Sequence, residues 1–135
     1  MTAACVLGTD VVIAALDRSD AHHQAATRLI GELSAAESAL LLSLINYAET
    51  LVRPAQDDAT LRVAVRAIQA MGIALVPPTA AIARDAARLR GLNISLADGF
   101  AVATARARSA SIASFDQRVL RALPVLGVES AAGRE

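Results

Sequence analysis

Short apolar runs alternate with capped amphipathic stretches along the whole chain. Five runs are too short for helices and read as strands: ACVLG (4–8), ALLLS (39–43), IALVP (73–77), ASIAS (110–114) and PVLGV (124–128). Between them the apolar spacing lengthens to a helical period. TDVVIAALD opens with Thr9 or Asp10 as a cap, and Asp20 opens DAHHQAATRLIGEL. LINYAETLVR follows the second run. DDATLRVAVRAIQAM (57–71) puts Leu61, Val65 and Ile68 on one stripe. TAAIARDAARLR leads to Gly91, read as a helix terminator, and SLADGFAVATARAR spans 95–108. Only the tail ESAAGRE (129–135) reads as loosely held.

Strands of four or five residues separated by helices predict an α/β domain whose mainly parallel sheet is covered on both faces. At 135 residues this is a single domain. Ligands of such sheets sit at the carboxyl ends of the strands, so side chains just after each strand carry the chemistry.

Composition narrows that chemistry. Thirteen basic and thirteen acidic residues cancel, and every basic residue is arginine. Without lysine there is no P-loop, no protein-kinase site and no Schiff-base enzyme. Aromatic residues make up 2%, which disfavours base-stacking sheets. Lone Cys5 excludes an intramolecular disulfide and suits a reducing, cytoplasmic setting. No run is long enough to cross a membrane, and no signal peptide is expected.

Four acidic positions fall where the sheet would place a site. Asp98 has Ala101, Val102 and Ala105 at i+3, i+4 and i+7, so it shares an inward apolar face. A carboxylate there needs an arginine, a backbone cap or a metal. Glu49 lies one turn after Asn46, and a surface Glu49–Arg53 pair is the plainer explanation. Asp116 follows a strand, where simple N-capping of QRVLRAL competes with a functional role. Asp10 is likewise a cap or a functional carboxylate. Converging carboxylates repel unless a cation compensates, and an oxygen donor set without a usable His or Cys group fits Mg²⁺ or Mn²⁺. His22 and His23 are adjacent, point apart on a helix and read as solvated.

These residues, in this order, resemble the PIN-domain ribonucleases, specifically the VapC-type toxins of bacterial type II toxin–antitoxin systems. The family opens with a strand ending in Asp-Thr-(Ser/Asn/Asp), here VLGTDVVIAALD. A helical Glu follows the second strand, here Glu49. A third acidic residue opens Asp-x-x-x-(small)-Ala-Thr-Ala, here DGFAVATA from Asp98, and the last follows a short strand as SFD, giving Ser114 and Asp116. The resemblance covers nearly the whole chain. It implies a PIN-like three-layer α/β/α fold with four or five short strands, and a Mg²⁺-dependent endoribonuclease acting on tRNA or another structured RNA. It also implies a homodimer, a cognate antitoxin and no membrane association.

In that comparison Gly8 stands where the first metal-binding aspartate is expected. The implied ligands are therefore position 8, Asp98, Asp116 and Glu49, supported by Asn46, Ser114 and Asp10. Arg84, Arg88, Arg106 and Arg108 are candidates for RNA contact, with solvated helix faces as the alternative. The missing carboxylate implies a weak or inactive enzyme. A deliberate replacement accounts for it best, beside a naturally degenerate toxin and takeover by Asp10. Because Thr9–Asp10 reads as a helix start, Asp10 is expected to turn away from the metal. The rival in a different class is a catalytically dead PIN scaffold that binds antitoxin or RNA. A receiver domain fails for want of lysine, and a dinucleotide-binding module for want of G-x-G-x-x-G.

Overall fold

The computed structural model describes residues 3–131. Four strands form one all-parallel sheet in the order β3-β2-β1-β4: β1 Ala4–Leu7, β2 Ala39–Ser43, β3 Ile73–Val76 and β4 Ser111–Ala113. Seven helices surround it among the described residues. They are α1 Thr9–Leu16, α2 His23–Ala35, α3 Leu44–Leu51, α4 Asp58–Ala70, α5 Ala80–Leu89, α6 Leu96–Arg108 and α7 Gln117–Leu126.

The two faces of the sheet build two separate apolar cores, because side chains alternate along each strand. Val6, Leu41 and Ile112 face α5, α6 and α7 through Ile82, Ala86, Val102, Val119 and Leu123. Cys5, Leu7, Leu40, Leu42 and Ala113 face α1, α2 and α4 through Val11, Val12, Ala26, Ile30 and Ile68. This is the expected three-layer α/β/α arrangement, with four strands. Among the described residues no helix is long and apolar enough to cross a membrane.

The fifth expected strand, PVLGV, is not one. Its first three residues finish α7, which buries Val119 and Leu123 and carries Pro124 inside it. Packing of that amphipathic stripe outweighs the disruption from one proline near the helix end. Gly127, at φ 69, supplies the left-handed residue that ends the helix. Gly91 does not terminate α5. A short 3₁₀ turn, Arg90–Leu92, follows instead, and the left-handed residue is Asn93 at φ 63. Asp20 also starts no helix: its carboxylate accepts from the His22 backbone in a turn, and α2 begins at His23. Of the tail, Glu129–Ala131 run beside β4, with Ile112 N donating to Glu129 O and Ala131 N to Ile112 O. Residues 132–135 lie outside the described residues.

Helices α5 and α6 approach closely at Gly99. A Cβ built there would lie 3.0 Å from the Ala86 carbonyl oxygen and 3.5 Å from its Cα, so only glycine fits without displacement. Gly99→Val is expected to destabilise the chain by about 1–3 kcal/mol, the usual range for overpacking, measured by urea unfolding. Because Asp98 is the adjacent residue, the same change would also shift the site described next.

Candidate metal centre at the carboxyl edge of the sheet

The chain leaves β1 toward β2 on one side, whereas β4 pairs on the other. A crevice therefore opens between the carboxyl ends of β1 and β4, the position where parallel sheets bind ligands. Gly8 and Ser114 line it, and Gly8 N donates to Ala113 O across it at 2.8 Å.

Each acidic side chain arrives by a different local device. Ser95 caps α6 by accepting from Asp98 N at 3.2 Å, which sets Asp98 in the first turn. Its i+3, i+4 and i+7 neighbours Ala101, Val102 and Ala105 are buried as expected, while Asp98 itself is half-buried at the rim. Asp116 caps α7, accepting from Arg118 N at 2.8 Å and Val119 N at 3.2 Å, and Ser114 Oγ accepts from Asp116 N at 3.1 Å. Capping is thus a real task of Asp116, and it does not remove its charge from the crevice.

Asp10 departs from the expectation that the helix start turns it away. Although it lies in the first turn of α1, its carboxylate reaches across the crevice. Oδ2 accepts from Phe115 N at 2.8 Å and Oδ1 from Val11 N at 2.9 Å.

Electrostatics tie these groups together. Burial pushes the Asp98 carboxyl above its ordinary range; Ser95 opposes this, and the charges of Asp116, Asp10 and Glu49 add to it. Burial likewise raises Asp10 against its two backbone donors, with Asp116 adding to the rise. Glu49 is exposed on α3. No ion pair joins it to Arg53 among the described residues, contrary to the surface-pair alternative.

Beneath the carboxylates lies Asn46, fully buried. Its Nδ2 donates at 3.0 Å both to Thr9 Oγ1 and to the Ala97 carbonyl, clamping α3 to the residues before Asp10 and Asp98. Among the described residues its Oδ1 has no hydrogen-bond partner. A buried acceptor left unmet is costly and calls for a water or cation.

The donor set suits a hydrated divalent cation. Every donor is oxygen, mutual repulsion favours a cation, and the orphaned Asn46 Oδ1 offers a further acceptor. No three of His, Cys, Asp or Glu close in on a single point among the described residues. The fit is therefore to an ion held directly by one or two carboxylates and otherwise through water, as Mg²⁺ usually is.

The arginines divide. Arg106 pairs with Asp85 at 3.0 Å and lines an open cavity of about 710 Å³ with Ala4 and Ser111, at the starts of their strands. That cavity and Arg106 thus lie at the opposite edge from the carboxylates, and Arg108 ends the same helix, α6. Arg84 and Arg88 are exposed on α5. The histidines are not simply solvated. His23 Nδ1 contacts Ala14 O at 2.7 Å, and the His22 ring stacks on Phe115 with centroids 4.7 Å apart. That stack forms part of the crevice rim, since Phe115 also donates to Asp10. No local sequence pattern reveals a contact between residues 22 and 115.

The raised carboxyls have a measurable consequence. A folded-state pKa above the unfolded value of about 3.9 means that the folded chain binds more protons in that window, so stability falls as pH rises through it. Asp98→Asn removes the ionisable group. It is expected to raise the metal-free Tm at pH 7 by about 2–5 °C, allowing for partial exposure. At a pH below about 3.9 the gain should vanish, because Asp98 is protonated in both states. Calorimetry at the two pH values measures both.

No curated protein sequence is a significant match to this chain. Solved structures do match. VapBC2 from Rickettsia felis, bound to a DNA fragment from its promoter, aligns with TM-score 0.72 and 15% identity over 93% of this chain and 96% of that one. Mycobacterium tuberculosis VapC20, a sarcin–ricin loop cleaving toxin, aligns with TM-score 0.71 and 18% identity over 88% and 95%. FitAcB from Neisseria gonorrhoeae aligns with TM-score 0.66 and 21% identity over 93% and 95%. These likenesses are of fold. The PIN domain family model matches residues 5–125, nearly the whole described structure, and the chain belongs to the PIN domain family.

Proposed function

We propose that this chain is a VapC-type toxin, a Mg²⁺-dependent endoribonuclease acting on tRNA or another structured RNA, neutralised by a cognate antitoxin and weakened by glycine at position 8. The observation that carries this reading is that Asp98 meets the charges of Asp116, Asp10 and Glu49 at one sheet edge, and Asp10 that of Asp116, near a buried Asn46 oxygen without a partner among the described residues. A purely structural cluster would not retain that combination of repulsion and unmet acceptor.

Asp98 and Asp116 are the central metal-holding groups, with Glu49 acting at the exposed rim. When bound, Mg²⁺ supplies an activated water and neutralises charge developing on the phosphate. The chain's own residues then have distinct tasks. Ser114 fixes the backbone of Asp116, Ser95 orients Asp98, and Asn46 keeps α3 and α6 in register. A looped or single-stranded phosphodiester suits the open rim, because a base-paired backbone would not splay into the crevice. Arg84 and Arg88 remain candidates for backbone contact. Arg118, two residues after Asp116, joins them.

The fold likeness to the VapBC complexes supports an antitoxin partner, and exposed Val52, Val63 and Val125 offer apolar surface for a homodimer or that partner. The reading is tested by incubating the purified chain with structured RNA in Mg²⁺ and in EDTA, before and after repair of position 8. Slow Mg²⁺-dependent cleavage that repair accelerates is the expected result. If the repaired chain cuts nothing and still binds RNA or antitoxin, the dead-scaffold alternative takes over.

A further inference from the structure

We infer that the His22–Phe115 ring pair is a seat for one nucleobase of the RNA, the base next to the phosphate presented to the crevice. This inference rests on the nuclease reading above and deepens it, because it gives a place to a base where that reading placed only the backbone. Phe115 stands between Ser114 and Asp116, and its N–H donates to Asp10 Oδ2 at 2.8 Å, so the residue belongs to the crevice rim. Its ring packs partly into the core on the α1–α2 side of the sheet. The His22 ring covers it in a near-parallel stack, with centroids 4.7 Å apart and planes inclined by 13°. His22 is the outer layer, and its side chain is 58% exposed.

The surrounding loop fixes that ring without using it. His22 N donates to Asp20 Oδ1 at 2.8 Å, and His23 Nδ1 lies 2.7 Å from Ala14 O. His22 occupies the N-cap of α2, where Ser, Thr, Asp or Asn ordinarily satisfies a helix amide, yet its side chain makes no capping bond. Its Nδ1 is 3.9 Å from Asp20 Oδ1, beyond hydrogen-bond reach. A planar ring held flat, open on its outer side and with nitrogens at its edge is a platform on which an unpaired base stacks. The edge nitrogens can meet a base edge or a ribose hydroxyl.

Charge decides which part of the RNA goes there. The carboxylates of Asp10 and Asp20 flank the stack, so a phosphate is repelled and a neutral base is not. An apolar side chain of a protein partner would also cover the ring, but it would strip water from the ring nitrogens and return no hydrogen bond. The scarcity of aromatic residues argues against a broad stacking sheet; one ring pair seats one base.

The sequence contains no tryptophan, so His22→Trp places a single indole on the outer layer of the stack. Cleavage by the chain as it stands is expected to be slow, so fluorescence read within seconds of mixing in Mg²⁺ reports binding alone. A short single-stranded oligoadenylate should quench the indole, and an abasic ribose-phosphate oligomer of the same length should not. By polarisation of the labelled oligomers, His22→Ala should weaken binding of the oligoadenylate by about 5- to 150-fold, the range that one base–aromatic stack carries. The abasic oligomer should bind both proteins equally. His22→Phe keeps a ring and should retain most of the affinity. Thermal melting reports whether each variant folds, and His22→Phe and His22→Trp keep Phe115 covered should His22→Ala be unstable.

Equal quenching by both oligomers overturns the inference, as does unchanged oligoadenylate affinity in folded His22→Ala. Quenching by neither overturns it too; an indole that is covered only when the antitoxin binds would make the stack a protein-docking surface. Any of these results leaves the nuclease reading standing while the Gly8→Asp chain cuts structured RNA in Mg²⁺. If that chain cuts nothing and neither oligomer binds, both readings fall.

Discussion

Asp98→Asn, introduced into a chain already carrying Gly8→Asp, is expected to abolish Mg²⁺-dependent RNA cleavage and the growth inhibition that accompanies it. The repaired chain should cut structured RNA at least about 10–100-fold faster than the chain as it stands, the loss that even an outer-shell partner of a metal site causes. Removing Asp98 should then lower the rate below that of the starting chain, because a neutral amide is a poorer donor to Mg²⁺ than a carboxylate. The Cβ added by Gly8→Asp would meet Asp10 Oδ1 at 2.9 Å, the end of a flexible side chain that can swing aside, and the Ala113 carbonyl oxygen at 3.0 Å, which must give by a few tenths of an ångström. Cleavage is read by gel on a labelled structured RNA, with EDTA as the zero. If the unaltered chain already cuts as fast as its Gly8→Asp version, glycine at position 8 is no handicap and the account of this site is wrong.

The parts of this picture that sequence reasoning reached are those written in local pattern. Four of five strands and the inward face of α6 follow from period and capping, since Ser95 and the buried Ala101, Val102 and Ala105 specify Asp98 within a dozen residues. What failed was decided at a distance. Asp10 was expected to turn away by helix-start logic, yet its position is set by Phe115 N, 105 residues along the chain. PVLGV looks like a strand because it is short, apolar and led by proline, whereas the stripe that holds it helical begins at Val119. The close approach at Gly99 and the His22–Phe115 stack have no local signature at all. Arg106 carried a charge suited to RNA, but its place on the last turn of α6 takes it to the opposite edge and to Asp85.

Asn46→Leu should have the second large effect, and it separates architecture from chemistry. The side chain is fully buried and bridges Thr9 to Ala97, so it joins the start of α1 to the start of α6 through α3. Leucine has the same branched outline of four heavy atoms, is bulkier, and carries no polar atoms. The orphaned Oδ1 disappears, which is favourable, while the Ala97 carbonyl and Thr9 hydroxyl lose their donor, which costs about 1–3 kcal/mol if either stays buried. In the metal-free chain the two effects oppose, and the net loss should be modest, about 1–2 kcal/mol by urea unfolding. With Mn²⁺ present the comparison changes. The original chain gains stability from any ion it binds, whereas the leucine variant can offer no oxygen at that position and should gain far less. The expected result is therefore a stability difference that widens as Mn²⁺ is added. A difference that is the same with and without Mn²⁺ would make Asn46 a clamp between helices and nothing more.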